Sequence, residues 1–323
     1  MTISIHYVDP KTKAPLRKDH TAYYSETGSV YPIVNQIPRF VDSSQNYTQS
    51  FGLQWNKFSK TQIDDTDQKQ SETRFFATTQ WKPEELAGKS ILEAGSGAGR
   101  FTRVILEKTS AYLWSFDYSE AVEANWQNNS DIAGGRLHLF QASIYDIPLP
   151  EASFDKVFCF GVLQHTPDFE ESVKNLIKYA KIGAEIVVDF YPIKGFWTKI
   201  HAKYLLRPLT KKMSHQALLN LIEKNIDGLI TLFDFLVKVK LGVLTRFLPI
   251  VDLRTIPSTV DQQKRREWAI LDTFDMFSPE YDNPQRIKDV AAMFERHGAK
   301  VTFAGFVKSS AGTSAVVRGV RET

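Results

Sequence analysis

Between Ser90 and Tyr191 apolar runs and amphipathic stretches alternate, and that rhythm constrains the fold more than any other feature of the chain. SILEAG, AYLWSFD, RLHLFQA, FDKVFCFG and AEIVVDFY read as strands. GRFTRVILEK, SEAVEANWQNN and DFEESVKNLIKYAK, the last closed by Gly183, read as helices. Continuously apolar strands joined by helices need cover on both faces, which predicts an α/β fold with a doubly wound, largely parallel sheet. Ser119 is placed to cap the second helix. After Tyr191 the rhythm lapses. It returns at Asn283-Pro284, a cap followed by proline at the first helical position, which heads QRIKDVAAMFERHG. The closing strands KVTFAGFV and SAVVRGV, separated by a short turn, should pair antiparallel.

The 323 residues exceed one minimal domain, and 42% hydrophobic with 24% charged content marks an ordinary globular protein rather than a disordered one. A net charge of +3 does not by itself imply nucleic acid. The single cysteine, Cys159, excludes an internal disulfide and a cysteine-based zinc cage. It reads as a core residue in a reducing compartment. MTISIHYVDPKTK lacks the apolar core of a signal peptide. Gly228 to Val251 is interrupted by Asp234, Lys238, Lys240, Arg246 and Pro249, so it does not span a bilayer. The expected location is the cytoplasm, with peripheral membrane contact as the variant.

SILEAGSGAGRF places Gly95, Gly97 and Gly99 at the end of the first strand, where open parallel sheets hold ligands. Glycine there lets the backbone approach a ligand closely. A dinucleotide fingerprint needs a small residue where Arg100 stands, and no Walker lysine follows. The stretch instead resembles the first motif of the class I S-adenosylmethionine-dependent methyltransferases, acid-x-G-x-G-x-G, as Glu93, Gly95, Gly97 and Gly99. The resemblance is specific over Ser90 to Tyr191. It implies a Rossmann-like seven-stranded methyltransferase sheet with an antiparallel last pair, and S-adenosylmethionine as cofactor. The implied cofactor-binding set is Glu93, Gly95, Ser96, Gly97, Gly99, Asp117, Tyr118, Ser143, Ile144, Phe160 and Gly161. A near-neutral turn beside an acid suits a ligand whose amino-acid end carries an ammonium, a carboxylate and a sulfonium. Glu93 and Asp117 are expected to grip its two polar ends. Asp117 would take both ribose hydroxyls, worth ~1.5–3 kcal/mol for a charged acceptor. Ser143 stands where the family often has an aspartate for the adenine amino group. Phe160 to Pro167 resembles the fourth motif, which passes beneath the methyl donor.

Methyl transfer demands alignment and no metal. His165 is the first candidate for a general base; the alternative is a loop histidine that shapes the pocket or caps a helix. Asp189 and Tyr191, at the end of the fifth strand, rank second, with Asp272, Asp275 and Tyr281 of LDTFDMFSPEYDNPQ. Tyr191, Asp272, Asp275 and Tyr281 are assigned to the substrate pocket, with interdomain hydrogen bonding as the alternative.

Four segments follow. Residues 1–45 form a small β-rich piece whose PKTKAPL and VYPIVNQIPRF faintly resemble a zinc ribbon; the ribbon's cysteines are absent, so no metal is expected. Residues 46–191 hold N-terminal helices and the binding core. SFGLQWNKF and RFF resemble what flanks the cofactor in related enzymes, either as a lid or as packing. Residues 192–276 form a mainly helical cap insertion, and 277–323 complete the core. From Lys194 to Arg246 ten bases stand against three acids. The cap either packs an apolar face on the sheet and solvates its lysines, or meets an anionic or lipid-linked acceptor or an acidic membrane surface. Nothing interleaves aromatic and basic residues in the manner of a nucleic-acid site. The expected function is methylation of oxygen or nitrogen on a small molecule such as a sugar, lipid or secondary metabolite. The alternatives are an RNA or protein methyltransferase and a non-catalytic binding module.

Overall fold

A computed structural model describes residues 5–41, 46–66, 68–193, 195, 201–309 and 312–323. Its N-terminal piece is an antiparallel sheet in the order β1 (Arg17–Lys18), β2 (Ala22–Tyr24), β3 (Val30–Val34), β4 (Ile37–Pro38). That piece is anchored just beyond β4, where the Phe40 N–H donates to the Gln141 carbonyl at 2.8 Å. The Phe40 ring packs beside Tyr7, at 5.1 Å, and Phe140, at 6.3 Å. Buried Arg39 donates to Gln141 Oε1 at 3.1 Å and pairs with Glu123. The edge of the larger sheet is thereby covered rather than left open for pairing.

Helices α1 (Gln49–Lys57) and α2 (Gln70–Thr79) lead into that sheet. The rhythm expected from the sequence follows: β5 (Ser90–Ala94), α3 (Arg100–Lys108), β6 (Tyr112–Asp117), α4 (Ala121–Asn129), β7 (Leu137–Gln141), β8 (Phe154–Phe160), α5 (Phe169–Tyr179) and β9 (Ala180–Phe190). Then come α6 (Ala202–Thr210), α7 (His215–Lys238), α8 (Gln262–Phe277), α9 (Ile287–Arg296), β10 (Ala299–Ser309) and β11 (Gly312–Arg321). The seven strands stand in the order β10-β11-β9-β8-β5-β6-β7. β5 to β9 run parallel, and β11 is antiparallel to both β9 and β10. This is the doubly wound seven-stranded sheet with an antiparallel last pair. Alternate residues of one strand feed two cores. Leu92 and Cys159 pack on the α5 and α9 side, whereas Ile91 and Phe158 pack on the α2 and α3 side.

Several local expectations shift. Gly183 does not close α5; it lies inside β9, whose pairing with β8 begins at Ala180 and slips register between Phe154 and Lys156. Asn283 does not cap α9, which starts four residues later. Its side chain instead donates to the Thr166 carbonyl at 2.9 Å, and its N–H to Gln164 O at 2.7 Å. Ser119 does serve its helix, its Oγ accepting from the Ala121 N–H at 3.2 Å.

In the insertion, α7 and α8 share a core built on Ile222, Ile226, Phe233, Trp268 and Phe274, which Phe58, just beyond α1, joins. The apolar run from Leu229 to Leu248 is not one helix. α7 stops at Lys238, Lys240 turns to φ 62°, and a 3-10 turn covers Gly242–Phe247. The face expected to pack on the sheet is therefore split, part on α8 and part exposed. Residues 42–45, at the first segment boundary, Lys194 and Lys199 of the basic run, and 310–311 of the last turn lie outside the described residues.

Candidate active site

One cavity of about 480 Å³ opens where β5, β6 and β8 end, under α1 and against α8. Its floor is the turn after β5. Gly95 has φ 76°, and a Cβ there would lie 2.3 Å from Val162 Cγ2, so the strand-four loop and the glycine turn touch with no room for a side chain. A Cβ on Gly97 would meet the Trp55 ring at 3.2 Å, which places α1 directly over the turn.

Of the residues singled out from sequence, Gly95, Ser96, Gly97, Asp117, Tyr118, Ile144, Phe160, Gly161, His165, Tyr191, Asp272 and Asp275 line this cavity. Four do not. Glu93 is buried beneath the turn, where its Oε2 accepts from Thr102 Oγ1 at 2.5 Å and Ser115 Oγ at 2.7 Å. It supports the turn from behind instead of gripping a ligand. Burial raises its pKa to about 7. Gly99 opens α3, and its missing side chain makes room for Asn125 and Asn129 of α4. Ser143 uses its hydroxyl to accept from the Tyr145 N–H at 3.1 Å; its neighbours Ala142 and Ile144 form the wall. Tyr281 contributes a carbonyl rather than a side chain, as described below.

Asp117 sits at the tip of β6. Its Oδ2 accepts from the Gly97 N–H at 2.8 Å, and its Oδ1 accepts from the Ser119 N–H and hydroxyl at 2.8 and 2.7 Å. These bonds orient the carboxylate at the cavity wall. Burial raises the Asp117 pKa.

His165 is buried on the loop after β8, its ring 5.2 Å from Phe51 and 5.5 Å from Tyr191. Nδ1 lies 3.0 Å from the Tyr281 carbonyl, which can only accept, so the proton is on Nδ1 and Nε2, itself buried, is left as an unpartnered acceptor among the described residues. Burial pulls the His165 pKa below its ordinary value and keeps the ring neutral. Tyr191 donates to Asp275 at 3.0 Å, and burial drives its pKa far up. Asp272 accepts from Gln62 at 3.0 Å; burial, then Asp275 nearby, raises its pKa to about 7. Asp189 lies just behind the wall, bonded to the Gly161 N–H and paired with Arg74, both at 2.6 Å.

Sequence reasoning missed the cations and the α1 side chains. Arg74, Arg100, Gln54 and Trp55 all line the cavity. Arg100 donates to Gln62 Oε1 at 2.6 Å and to Ser71 Oγ at 3.0 Å, and burial lowers its pKa to about 10. The one available signal was Arg100 itself, which had counted only against a dinucleotide. Five residues that line the cavity each carry a buried polar atom with no hydrogen-bond partner among the described residues: Gln54 Oε1, Ser96 Oγ, Arg74 Nε, Arg100 Nη2 and His165 Nε2. Buried polar atoms are rarely left so, and their convergence marks a ligand site. Among the described residues no group of three or more His, Cys, Asp or Glu is placed to hold a metal.

Strand order, glycine turn and the acid at the tip of β6 define a Rossmann-like sheet of the methyltransferase type. Residues 92–188 match the family described as "Methyltransferase domain". Over those residues the chain carries a methyltransferase-type domain. Among curated proteins it is 26% identical over 110 residues to a tRNA U34 carboxymethyltransferase of Nautilia profundicola, covering 34% of this chain and 37% of that one. It is 32% identical over 102 residues to phosphoethanolamine N-methyltransferase 1 of Zea mays, covering 31% of this chain and 20% of that one. The match thus spans well under half the length of either relative. A solved S-adenosylmethionine-dependent methyltransferase from Aquifex aeolicus superposes with TM-score 0.44 at 12% identity, over 85% of this chain and 97% of that one.

Proposed function

We propose that the protein transfers a methyl group from S-adenosylmethionine to oxygen or nitrogen of a small-molecule acceptor. The observation that carries this reading is the set of five unpartnered polar atoms on residues lining one cavity, because their chemistry matches the cofactor. Arg74 Nε and Arg100 Nη2 offer donors to its carboxylate, and Gln54 Oε1 an acceptor to its ammonium. The Asp117 carboxylate on the cavity wall suits the ribose hydroxyls, and Ala142 and Ile144 give an apolar wall for adenine. When bound, the cofactor supplies a methyl carbon activated by the sulfonium.

The chain's own part is alignment and proton handling. Gly95 and Gly161 let backbone pass close beneath the methyl position. Phe51, Trp55 and Phe160 exclude water. His165 Nε2 takes the acceptor's proton as the carbon–oxygen or carbon–nitrogen bond forms, and the charge it gains is stabilised by the Tyr281 carbonyl at Nδ1. Tyr191, Asp272 and Asp275 form the acceptor wall.

A volume of about 480 Å³ falls in the range of small-molecule sites, roughly 300–1,000 Å³, and suits the cofactor with a compact acceptor group beside it. Calorimetry with S-adenosylhomocysteine, followed by transfer of labelled methyl to a metabolite panel, tests the reading. Saturable binding and labelled product are expected. Absence of binding removes the reading, and binding without turnover on any acceptor reduces it to a non-catalytic module.

A further inference from the structure

The far end of the cap is built unlike a solvated surface. Near the end of α7, Leu232 and Phe235 share a face with Val239 just past that end, forming a second apolar stripe turned away from the face packed on α8. The stripe continues into the 3-10 turn through Leu241, Val243, Leu244 and Phe247. Phe235 is 56% exposed, Val243 69% and Phe247 49%. Isolated exposed apolar residues are ordinary, but a contiguous cluster of this kind marks a docking surface.

Charge identifies the occupant. The three acids of the segment are all consumed by partners beyond it. Glu223 pairs with Lys57, Asp227 with Arg266 and Asp234 with Arg265. Lys238 and Lys240, beside the exposed tip, have no ion pair among the described residues. A cluster of bulky apolar side chains flanked by unpaired lysines complements an anionic lipid surface, where the lysines meet head groups and the apolar tip enters the interface.

The tip also adjoins the active site. A second cavity of about 690 Å³ is walled on one side by Gly242, Val243, Thr245 and Arg246 of this turn, and shares Tyr191, His201, Lys203 and Asp252 with the first. We propose that the tip formed by the end of α7 and the Gly242–Phe247 turn docks on anionic membrane, turning this vestibule toward the lipid. The docking itself does not depend on the methyl-transfer reading; only the sense of the vestibule does.

The test is co-sedimentation of the full chain with vesicles of phosphatidylcholine alone or mixed with phosphatidylglycerol. The unaltered protein is expected to pellet with the anionic vesicles and to be released by salt. The double variant V243S/F247S and, independently, the surface variant K238E/K240E should each lower partitioning at least about tenfold, with melting temperatures unchanged. Should V243S/F247S melt early, K238E/K240E decides alone. No pelleting with anionic vesicles, equal pelleting with neutral ones, unchanged partitioning of the variants, or a lipid-free dimer abolished by the tip substitutions each overturns the proposal. Protein that pellets but fails to bind S-adenosylhomocysteine leaves it standing and removes the methyl-transfer reading instead.

Discussion

His165 Nδ1 lies 3.0 Å from the Tyr281 carbonyl oxygen, across more than a hundred residues of chain, and this contact fixes which nitrogen carries the proton. His165→Ala is expected to lower kcat by about 10²–10⁴-fold while S-adenosylhomocysteine affinity stays within a few-fold. Because burial holds the His165 pKa below 6.5, its base form persists through neutral pH, and the acidic fall in kcat/KM should begin only below that value. A pH–rate profile of both proteins checks this. A variant with normal turnover, or one retaining the acidic limb, assigns His165 to shaping the pocket.

The glycine turn can be tested by separating conformation from collision. Gly88 and Gly95 both have positive φ, 68° and 76°, but an added Cβ meets nothing within 4 Å at Gly88 and Val162 Cγ2 at 2.3 Å at Gly95. Gly88→Ala should cost about 1 kcal/mol, the strain of a left-handed backbone, and Gly95→Ala about 2–4 kcal/mol with loss of cofactor binding. Urea denaturation of the two variants gives the comparison. Equal losses would show that contact between the turn and the β8 loop is not what requires glycine.

The sheet was legible because its signal is periodic and local. Apolar strands such as Ser90–Ala94 and Phe154–Phe160 stand out, and strand ends bring Gly95, Asp117 and Phe160 together once the sheet is assumed. The motif at Glu93 was also legible, but not its direction. An acid followed by alternating glycines does not reveal that Thr102 and Ser115 hold the carboxylate below the turn. Arg74 was hidden for the opposite reason. It sits in α2, outside any motif, and reaches the cavity only because α2 packs on the α3 face of the sheet. Tyr281 acts through its backbone, which no side-chain reading could find. The end of α7 was not legible, because the apolar pattern continues past Lys238 although the helix does not.

Arg100 separates the cofactor's two ends. The residue lines the cavity and its buried Nη2 has no partner among the described residues, and a charge-assisted hydrogen bond is worth about 1.5–3 kcal/mol. Arg100→Met should weaken S-adenosylhomocysteine about 10–150-fold and leave adenosine, which lacks the carboxylate, nearly unaffected. Calorimetry with the two ligands distinguishes this from general damage. Parallel losses would mean that Arg100 holds Gln62 and Ser71 in place instead of binding the ligand.

Glu93 makes stability depend on pH in a direction opposite to that of most carboxylates. Burial raises its pKa in the folded protein from 4.5 to about 7, so the folded state holds the proton more tightly than the unfolded chain. Its favourable contribution is complete below pH 4.5 and is lost as pH rises to about 7. Asp272, raised from 3.8 to about 7 by burial and Asp275, acts with the same sign. His165 opposes them below pH 6.5, where an imidazole with a lowered pKa costs stability as it is forced to charge. Glu93→Gln keeps an acceptor for Thr102 and Ser115 and removes the titration. Between pH 5 and pH 8 the unaltered protein should therefore lose roughly 2–3 kcal/mol more than the variant, read from urea midpoints at each pH. Parallel pH curves would mean that Glu93 remains ionised beneath the turn, with Thr102 and Ser115 offsetting the cost of burying its charge.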